Sequence, residues 1–219
     1  MVVGPCTCRV RRRPCRRKSR SESMLTGKSS IRLSRFGYYS DFIVYPLSVA
    51  CLAALGLSSS GAENMIAWIM ICLGSVASWT RIEYGLHRFA FHHAPFLKQL
   101  HQQHHDEERS LIGTPVWFSL LAHGLIVLLP AFLLSSFGTA CAITSGVMLG
   151  YLWYVGVHHV LHHWHSPHDG YLYRLKRRHA LHHHASEDCN FGVTTGIWDR
   201  AFRTAAPERL GRTIAAVAR

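Results

Sequence analysis

The chain contains four long apolar stretches that fall into two pairs. The first pair comprises residues 36–58 and 64–80, joined by the short polar segment SSGAE. The second pair comprises residues 116–137 and 140–157, with a turn at SFGT. Each stretch is close to the roughly 17 to 25 apolar residues that a helix needs to cross a bilayer. The pattern therefore predicts two membrane-spanning helical hairpins, each with antiparallel members.

Basic residues are confined to the segments that flank these pairs. Lys and Arg are absent from residues 36–80 and again from 110–173, so the 24 basic residues form three blocks. Such blocks are typical of cytoplasmic segments of membrane proteins, and we expect both termini and the central block on the cytosolic side. The net charge of +12 alone would suit nucleic acid. Its confinement to these blocks argues instead for a membrane protein with no nucleic-acid partner.

These features predict an all-α integral membrane protein with four transmembrane helices in two hairpins. We place the hairpins at about 36–80 and 116–157. A cytosolic helical cap is expected to comprise 81–115 and 158–219, so that 36–219 is one domain.

The first 35 residues are rich in Arg and Ser and show no apolar periodicity. Such a composition predicts a disordered tail that is attracted to anionic lipid. A transit peptide is the functional alternative. A chain that starts at Met24, with an upstream extension, is a third interpretation.

Small residues and one histidine lie inside the apolar stretches. Small residues let helices approach closely in lipid, where water provides no hydrophobic drive. His123 is an ionisable residue deep in an apolar stretch and is therefore a functional candidate. We expect it to form an interhelical hydrogen bond, because it is far in sequence from the other histidines. The small residues include Gly56, Gly74, Gly146 and Gly150.

Fifteen of the 17 histidines lie in two clusters, at 87–105 and 158–183, and each cluster follows an apolar stretch. Both clusters contain the motif H-x-x-H-H. Positions i, i+3 and i+4 share one face of a helix, which is a good chelating geometry for two adjacent metals. The two copies of the motif are His101, His104 and His105, and His179, His182 and His183.

Two further histidine pairs accompany these motifs. His158 and His162 are four residues apart, so a helix presents both to one point. His87 and His92 are five residues apart, roughly 140° around an α-helix, and we expect them to reach a metal from the helix and its frayed end. Four-coordinate zinc uses four ligands, and a two-histidine, one-carboxylate iron site uses two histidines. Ten imidazoles therefore indicate two metals, with iron, zinc and copper all suited to imidazole.

At this point the chain resembles the membrane-bound fatty acid hydroxylase superfamily, historically grouped with sterol desaturases. The resemblance is closest to fatty acid and ceramide 2-hydroxylases. It is carried by IEYGLHRFAFH (82–92), HQQHH (101–105), HHVLHH with SPHDGYLYRLKRRHALHH (158–183) and NFGVTTGIWDRAF (190–202), together with GYYSDFIVYP (37–46) at the first apolar stretch. The resemblance implies two iron ions, replaceable by zinc in a purified sample, that activate O₂ as co-substrate. The implied ligands are His87, His92, His101, His104, His105, His158, His162, His179, His182 and His183.

The resemblance also assigns roles around the metals. His163 is held as a reserve ligand, and Glu83 either orients a ligand imidazole or is a solvated helix charge. Trp198 and Asp199 are expected to close the cap rather than take part in the chemistry. The remaining histidines are expected to support the ligands or to lie at the surface: His93, His159, His165, His168 and His184.

Two departures from the 2-hydroxylases leave the substrate open. The family usually carries an acid three positions before the third motif, where this chain has Val155. The connection from His92 to His101 is also shorter than usual, which should reshape the pocket mouth.

We expect an oxygenase that hydroxylates a C–H bond of a membrane lipid or fatty acyl chain. Because no cytochrome b5-like domain is fused to the chain, electrons are expected from a separate carrier, cytochrome b5-like or ferredoxin-like. A lipid or sterol desaturase of the same superfamily is the enzymatic alternative. A haem protein would need paired histidines inside the spans, and a metal transporter or storage protein would need polar ligands along a transmembrane path. A bacterial inner membrane and an endoplasmic reticulum both suit the chain.

Overall fold

A computed structural model describes residues 32–61, 64–168 and 170–207, and all regular secondary structure in them is helical. Two π-helical segments, Leu86–Phe91 and His123–Leu128, lie directly between or after α-helices in the described residues. The α-helices are α1 (Arg35–Tyr39), α2 (Asp41–Ser60), α3 (Met65–Gly85), α4 (Pro95–Asp106), α5 (Val116–Ala122), α6 (Leu129–Leu134), α7 (Phe137–His163), α8 (Tyr171–His184) and α9 (Ile197–Ala201).

Four helical runs are long and apolar enough to cross a membrane: Arg35–Ser60, Met65–Phe91, Val116–Leu134 and Phe137–His163. The all-helical class and the four predicted apolar helices are thereby confirmed. The second and fourth runs extend well past the predicted ends at residues 80 and 157. Their extensions carry histidines of both clusters, so these side chains stand on continuous helix rather than on loops.

The fourth long helix, α7, is the centre of the bundle. It packs extensively against both α2 and α3, whereas α2 and α3 contact each other only slightly. Of its apolar window, 61% is buried, against 11% for each of the other three runs. The expected pairing within the first hairpin is therefore minor beside the packing of both its members on α7.

Glycines on α7 explain its close contact with α3. A Cβ atom at Gly146 would lie 2.2 Å from the backbone oxygen of Cys72, and one at Gly150 would lie 2.3 Å from the Cβ of Trp79. Any larger residue would push the two helices apart. Gly74, in contrast, has no neighbour within 4 Å of a built Cβ, so its small size serves no packing contact among the described residues.

His123 connects two of the long helices. Its Nδ1 lies 3.1 Å from the Tyr45 hydroxyl of α2 and 2.7 Å from the backbone oxygen of Ser119, one turn earlier. The expected interhelical hydrogen bond is thus present. The π-helical segment that begins at His123 ends two residues before Pro130, whose missing N–H interrupts the helical ladder.

The segment before α1 is docked on the cap. The Leu33 N–H donates to the Leu111 carbonyl at 3.0 Å, and the Arg32 guanidinium lies 2.6 Å from Glu107. Most of the predicted tail, residues 1–31, lies outside the described residues. Its last part pairs with the segment after α4 through Leu33 and Arg32, and the boundary at residue 35 stays a prediction.

Candidate metal centre

The structure gathers all ten histidines named above into two groups of five. Within each group, one ring nitrogen from every member lies within 4.8 Å of those of the others. Their assignment as ligands stays a prediction, but their convergence is a geometric fact. The first group is His87, His92, His101, His105 and His182, and the second group is His104, His158, His162, His179 and His183.

Each H-x-x-H-H motif divides its histidines between the two groups. His101 and His105 of α4 enter the first group, while His104 enters the second. In α8 the outer two members of the motif enter the second group, and His182 enters the first. Positions i and i+4 differ by about 40° around a helix, whereas i+3 lies about 60° to the other side. One motif can therefore serve two neighbouring sites.

A π-helical turn aligns His87 with His92. We expected roughly 140° between them because an α-helix was assumed. The segment Leu86–Phe91 is instead π-helical, and its i→i+5 hydrogen bonds place residues five apart above one another. The two rings are nearly parallel, with planes 13° apart and centroids separated by 5.5 Å. Both side chains thereby enter the first group without a frayed helix end.

Nitrogen atoms in the second group meet in a triangle. The Nε2 atoms of His158, His162 and His179 are separated by 3.1, 3.2 and 2.9 Å. A neutral imidazole has one N–H group, so it can donate from only one of its two nitrogens. Three Nε2 atoms this close cannot all be paired well by hydrogen bonds, because some of their lone pairs face one another. Two imidazole nitrogens bound at right angles, about 2.1 Å from one metal ion, lie about 3.0 Å apart. The spacing fits a shared cation.

The first group shows the same convergence and a fixed ring orientation. His87 Nε2 lies 3.1 Å from His101 Nε2 and 3.0 Å from His182 Nε2. On the opposite side of their rings, His87 Nδ1 lies 2.5 Å from the Phe191 carbonyl and His182 Nδ1 lies 2.8 Å from the Cys189 carbonyl. A proton on each Nδ1 leaves the Nε2 lone pair for a metal. The buried Nε2 of His92 has no hydrogen-bond partner among the described residues, as expected of a ligand atom.

Burial favours the neutral form of those clustered histidines that lie outside the four long helices, because it lowers the pKa of each. It is the main cause that lowers the pKa of His92 and of His104 to about 4, and that of His182 to about 3. Neighbouring imidazoles lower these pKa values further. Neutral imidazole is the metal-binding form, so both groups are ready to bind a metal at neutral pH.

Glu83 has neither of the two roles expected from the sequence. It is 2% exposed, so it is not a solvated charge, and no imidazole is among its hydrogen-bond donors in the described residues. Its Oε1 accepts the N–H groups of Val193 and Thr194 at 2.5 and 2.9 Å, and its Oε2 accepts the Thr194 hydroxyl at 2.5 Å. It thereby ties α3 to the segment whose Phe191 carbonyl holds His87.

Asp199 secures the other side of that segment. Its carboxylate is fully buried and accepts the N–H groups of Phe191 and Gly192 at 2.8 and 2.9 Å. Arg178 of α8 lies 2.9 Å from the same carboxylate. The Trp198 indole N–H donates to the Thr80 hydroxyl at 3.0 Å. These contacts fit the expected cap-closing role, and they link α8 to the end of the chain's described part.

The other histidines lie outside both groups. His163, the reserve ligand, is exposed and stacks on His159 at a centroid distance of 4.5 Å. His159 Nδ1 lies 3.1 Å from the Tyr38 hydroxyl. His184 Nε2 lies 3.3 Å from Glu108, whose carboxylate is also 3.9 Å from His162 Nδ1. The exposed remainder comprises His93, His165 and His168.

A cavity of about 110 Å³ adjoins both groups. Its lining includes His101 of the first group and His104 and His158 of the second. Most of the other walls are apolar, and Val155 lies among them. A carboxylate is nevertheless present, because Asp41 of α2 also lines the cavity. Asp41 lies within GYYSDFIVYP, a segment that carries part of the family resemblance, but its distance along the chain from the histidines predicted no role for it.

Comparison with known proteins identifies the family. Residues 71–204 match the family model "Fatty acid hydroxylase". The chain belongs to the fatty acid hydroxylase family. Among members of this family, it is 32% identical over 168 residues to "Dihydroceramide fatty acyl 2-hydroxylase FAH2" of Arabidopsis thaliana, covering 72% of this chain and 69% of that protein.

Mammalian members and a solved structure are also similar to the chain. It is 37% identical over 144 residues to "Fatty acid 2-hydroxylase" of Homo sapiens, which is 60% of this chain and 38% of the human protein. The chain thus spans well under half the length of the mammalian relatives that it matches. The structure titled "Full length scs7p (only hydroxylase domain visible)" is 26% identical, with a TM-score of 0.67 over 78% of this chain and 67% of that chain.

Proposed function

We propose that the chain is a membrane-bound lipid hydroxylase whose ten clustered histidines hold two iron ions. The observation that carries this proposal is the pair of five-histidine groups beside a largely apolar cavity. Two iron ions bound there would supply the reductive activation of O₂ needed to oxidise an unactivated C–H bond. Two relatives are a fatty acid 2-hydroxylase and a dihydroceramide fatty acyl 2-hydroxylase, which supports an acyl chain as the substrate.

The chain's own residues bind and orient the acyl group. Phe91, Leu97 and Leu100 form an apolar wall beside the histidines of the cavity. A methylene group forms no hydrogen bond that could orient it, so the shape of this wall selects which C–H bond faces the histidines. His87 and His182 are 2% and 0% exposed, so this part of the site is shielded from bulk water. Exclusion of water prevents side reactions of a reactive site.

The surrounding architecture is part of the same proposal. The four apolar helices form two hairpins in the bilayer, and residues 36–219 act as one hydroxylase domain. Three blocks of basic residues support a cytosolic cap and cytosolic termini. The membrane is a bacterial inner membrane or an endoplasmic reticulum, and the basic composition of the first 35 residues favours attraction to anionic lipid. A separate cytochrome b5-like or ferredoxin-like protein delivers the electrons.

The test compares three full-length proteins in a host that lacks lipid 2-hydroxylases: wild type, His104→Ala, and the control His93→Ala. His93 is exposed and lies outside both groups. We expect two iron ions per chain and an acyl product with one added oxygen atom in the wild type and the control. We expect both to fall in His104→Ala.

Three results would contradict the proposal. A product that has lost two hydrogen atoms would identify a desaturase. A haem absorption band, or a single metal per chain, would remove the di-iron assignment. The absence of any oxygenated lipid, with reductant supplied, would remove the hydroxylase assignment.

A further inference from the structure

Asp41 is a buried acid at the first position of α2, within the first apolar run Arg35–Ser60. It is only 6% exposed, and no basic side chain forms a salt bridge with it within residues 32–61, 64–168 and 170–207. A carboxylate removed from water is unfavourable unless hydrogen bonds or opposite charges compensate. The compensation at Asp41 is incomplete.

One of its two oxygens is satisfied. The Tyr151 hydroxyl of α7 donates to Asp41 Oδ2 at 3.0 Å. Asp41 Oδ1 is also buried, yet it has no hydrogen-bond partner in the part of the chain that the structure describes. Buried polar atoms are nearly always paired in folded proteins. An unpaired carboxylate oxygen on a residue that lines a cavity therefore points to a ligand that supplies the missing donor.

The cavity joins Asp41 to the candidate metal centre. Asp41 shares its lining with His101, His104 and His158. Its volume of about 110 Å³ is well below the roughly 300 to 1,000 Å³ of sites that enclose a whole small molecule. The cavity therefore has room for one end of a lipid, and the acyl remainder must lie elsewhere.

We propose that Asp41 is a positioning residue that accepts a hydrogen bond from an N–H or O–H group at the polar end of the acyl lipid. This inference rests on the proposed function and names the part of the substrate that enters the cavity. A carboxylate accepts hydrogen bonds and donates none, so it favours an amide or a hydroxyl. An ester has no donor, and a free fatty acid carboxylate would be repelled. With its polar end held at Asp41, the lipid presents C–H bonds near that end to the histidines.

The test measures binding, using two probes that differ in a single N–H group: N-methyloctanamide and methyl octanoate. The full-length protein is loaded with zinc, placed in lipid nanodiscs and titrated with each probe. Zinc supports no redox turnover, so binding is read independently of hydroxylation. We expect the wild type to bind the amide about 10- to 100-fold more tightly than the ester, as is typical of a hydrogen bond to a charged group.

Three variants assign this preference to Asp41. Asp41→Leu keeps the approximate shape without an acceptor and should bind both probes with similar affinity. Asp41→Asn keeps a carbonyl acceptor and should retain a preference above that of the leucine variant. Asp106→Asn changes an exposed acid at the end of α4 and should behave as the wild type.

Equal binding of the two probes by the wild type overturns the proposal, and this result needs no variant to fold. An undiminished amide preference in Asp41→Leu also overturns it. Failure of the proposed function appears differently, as a missing oxygenated lipid or a missing second metal while the amide preference persists.

Discussion

The imidazole rings of His105 and His183 stack face to face, with centroids 4.1 Å apart and planes 8° apart. The two side chains nevertheless belong to different groups of five. The groups are therefore in direct contact, and a change in one alters the packing of the other.

We expect His105→Ala to weaken metal binding at both groups. The first group loses one of its proposed ligand atoms, and His183 in the second group loses the ring that stacks on it. Loss of a group that orients a ligand typically lowers metal affinity about 10- to 100-fold. Competition with a chelator would measure both affinities, with His168→Ala as the exposed control. An unchanged second site in His105→Ala would show that the stacking carries no coupling.

Glu83→Gln should destabilise the cap. The side-chain amide places an N–H group opposite the donors of Val193 and Thr194, so at least one buried hydrogen bond is lost. We expect a loss of about 2–3 kcal/mol in the free energy of unfolding. Thr194→Val removes only the hydroxyl donor and should cost about 1 kcal/mol. Thermal unfolding in nanodiscs would rank the two variants, and the reverse order would contradict this role of Glu83.

Gly146→Ala should loosen α3 from α7. The added methyl group would lie 2.2 Å from a backbone oxygen of Cys72, so one helix must move. Overpacking of this kind typically costs about 1–3 kcal/mol. Gly74→Ala is the matched control because it meets no atom within 4 Å. The unfolding temperature should fall for the first variant alone; an equal effect of both would show that the contact is not limiting.

Metal-free protein should lose stability in mild acid. In the folded protein the pKa of His92 and that of His104 are about 4. Unfolding exposes both side chains and returns each pKa to its ordinary value of 6.5. Below pH 6.5 the unfolded chain therefore binds more protons, and stability falls until the pH reaches the folded values. Each such histidine contributes a slope of about 1.4 kcal/mol per pH unit.

The unfolding temperature of chelator-treated protein between pH 7 and pH 4 would measure this slope. His104→Ala should show a shallower slope, because it has one histidine fewer to protonate. A flat profile between pH 7 and pH 5 would mean that these side chains are already solvated in the metal-free fold.

Local spacing was enough to predict the helices and the ten clustered histidines. Apolar length identified the four long helices, and the H-x-x-H-H motif identified side chains that share a helix face. The α-helical period failed at His87 and His92, because the local turn is π-helical and a regular period of 3.6 residues was assumed. The five-residue spacing of two histidines within a helix was the available signal for that turn.

Contacts between segments that are distant in the sequence could not be predicted. Glu83 accepts a hydrogen bond from the backbone N–H of Val193, 110 residues away, and Asp41 pairs with Tyr151 across the same separation. A single sequence contains no information on such pairs, because hydrophobic periodicity fixes faces of helices and not their partners. For the same reason, the packing of α2 and α3 on α7 was not foreseen.

Each group of five takes four histidines from one half of the chain and one from the other half. Neither half alone contains five members of one group, because His182 comes from the last-made segment and His104 from the first cluster. On the proposed ligand sets, a metal is fully enclosed only after both halves have been made and have docked. Co-expressed fragments that are divided between α6 and α7 would therefore bind metal fully only as a reassembled pair. Metal content thus reports whether assembly of the chain is complete.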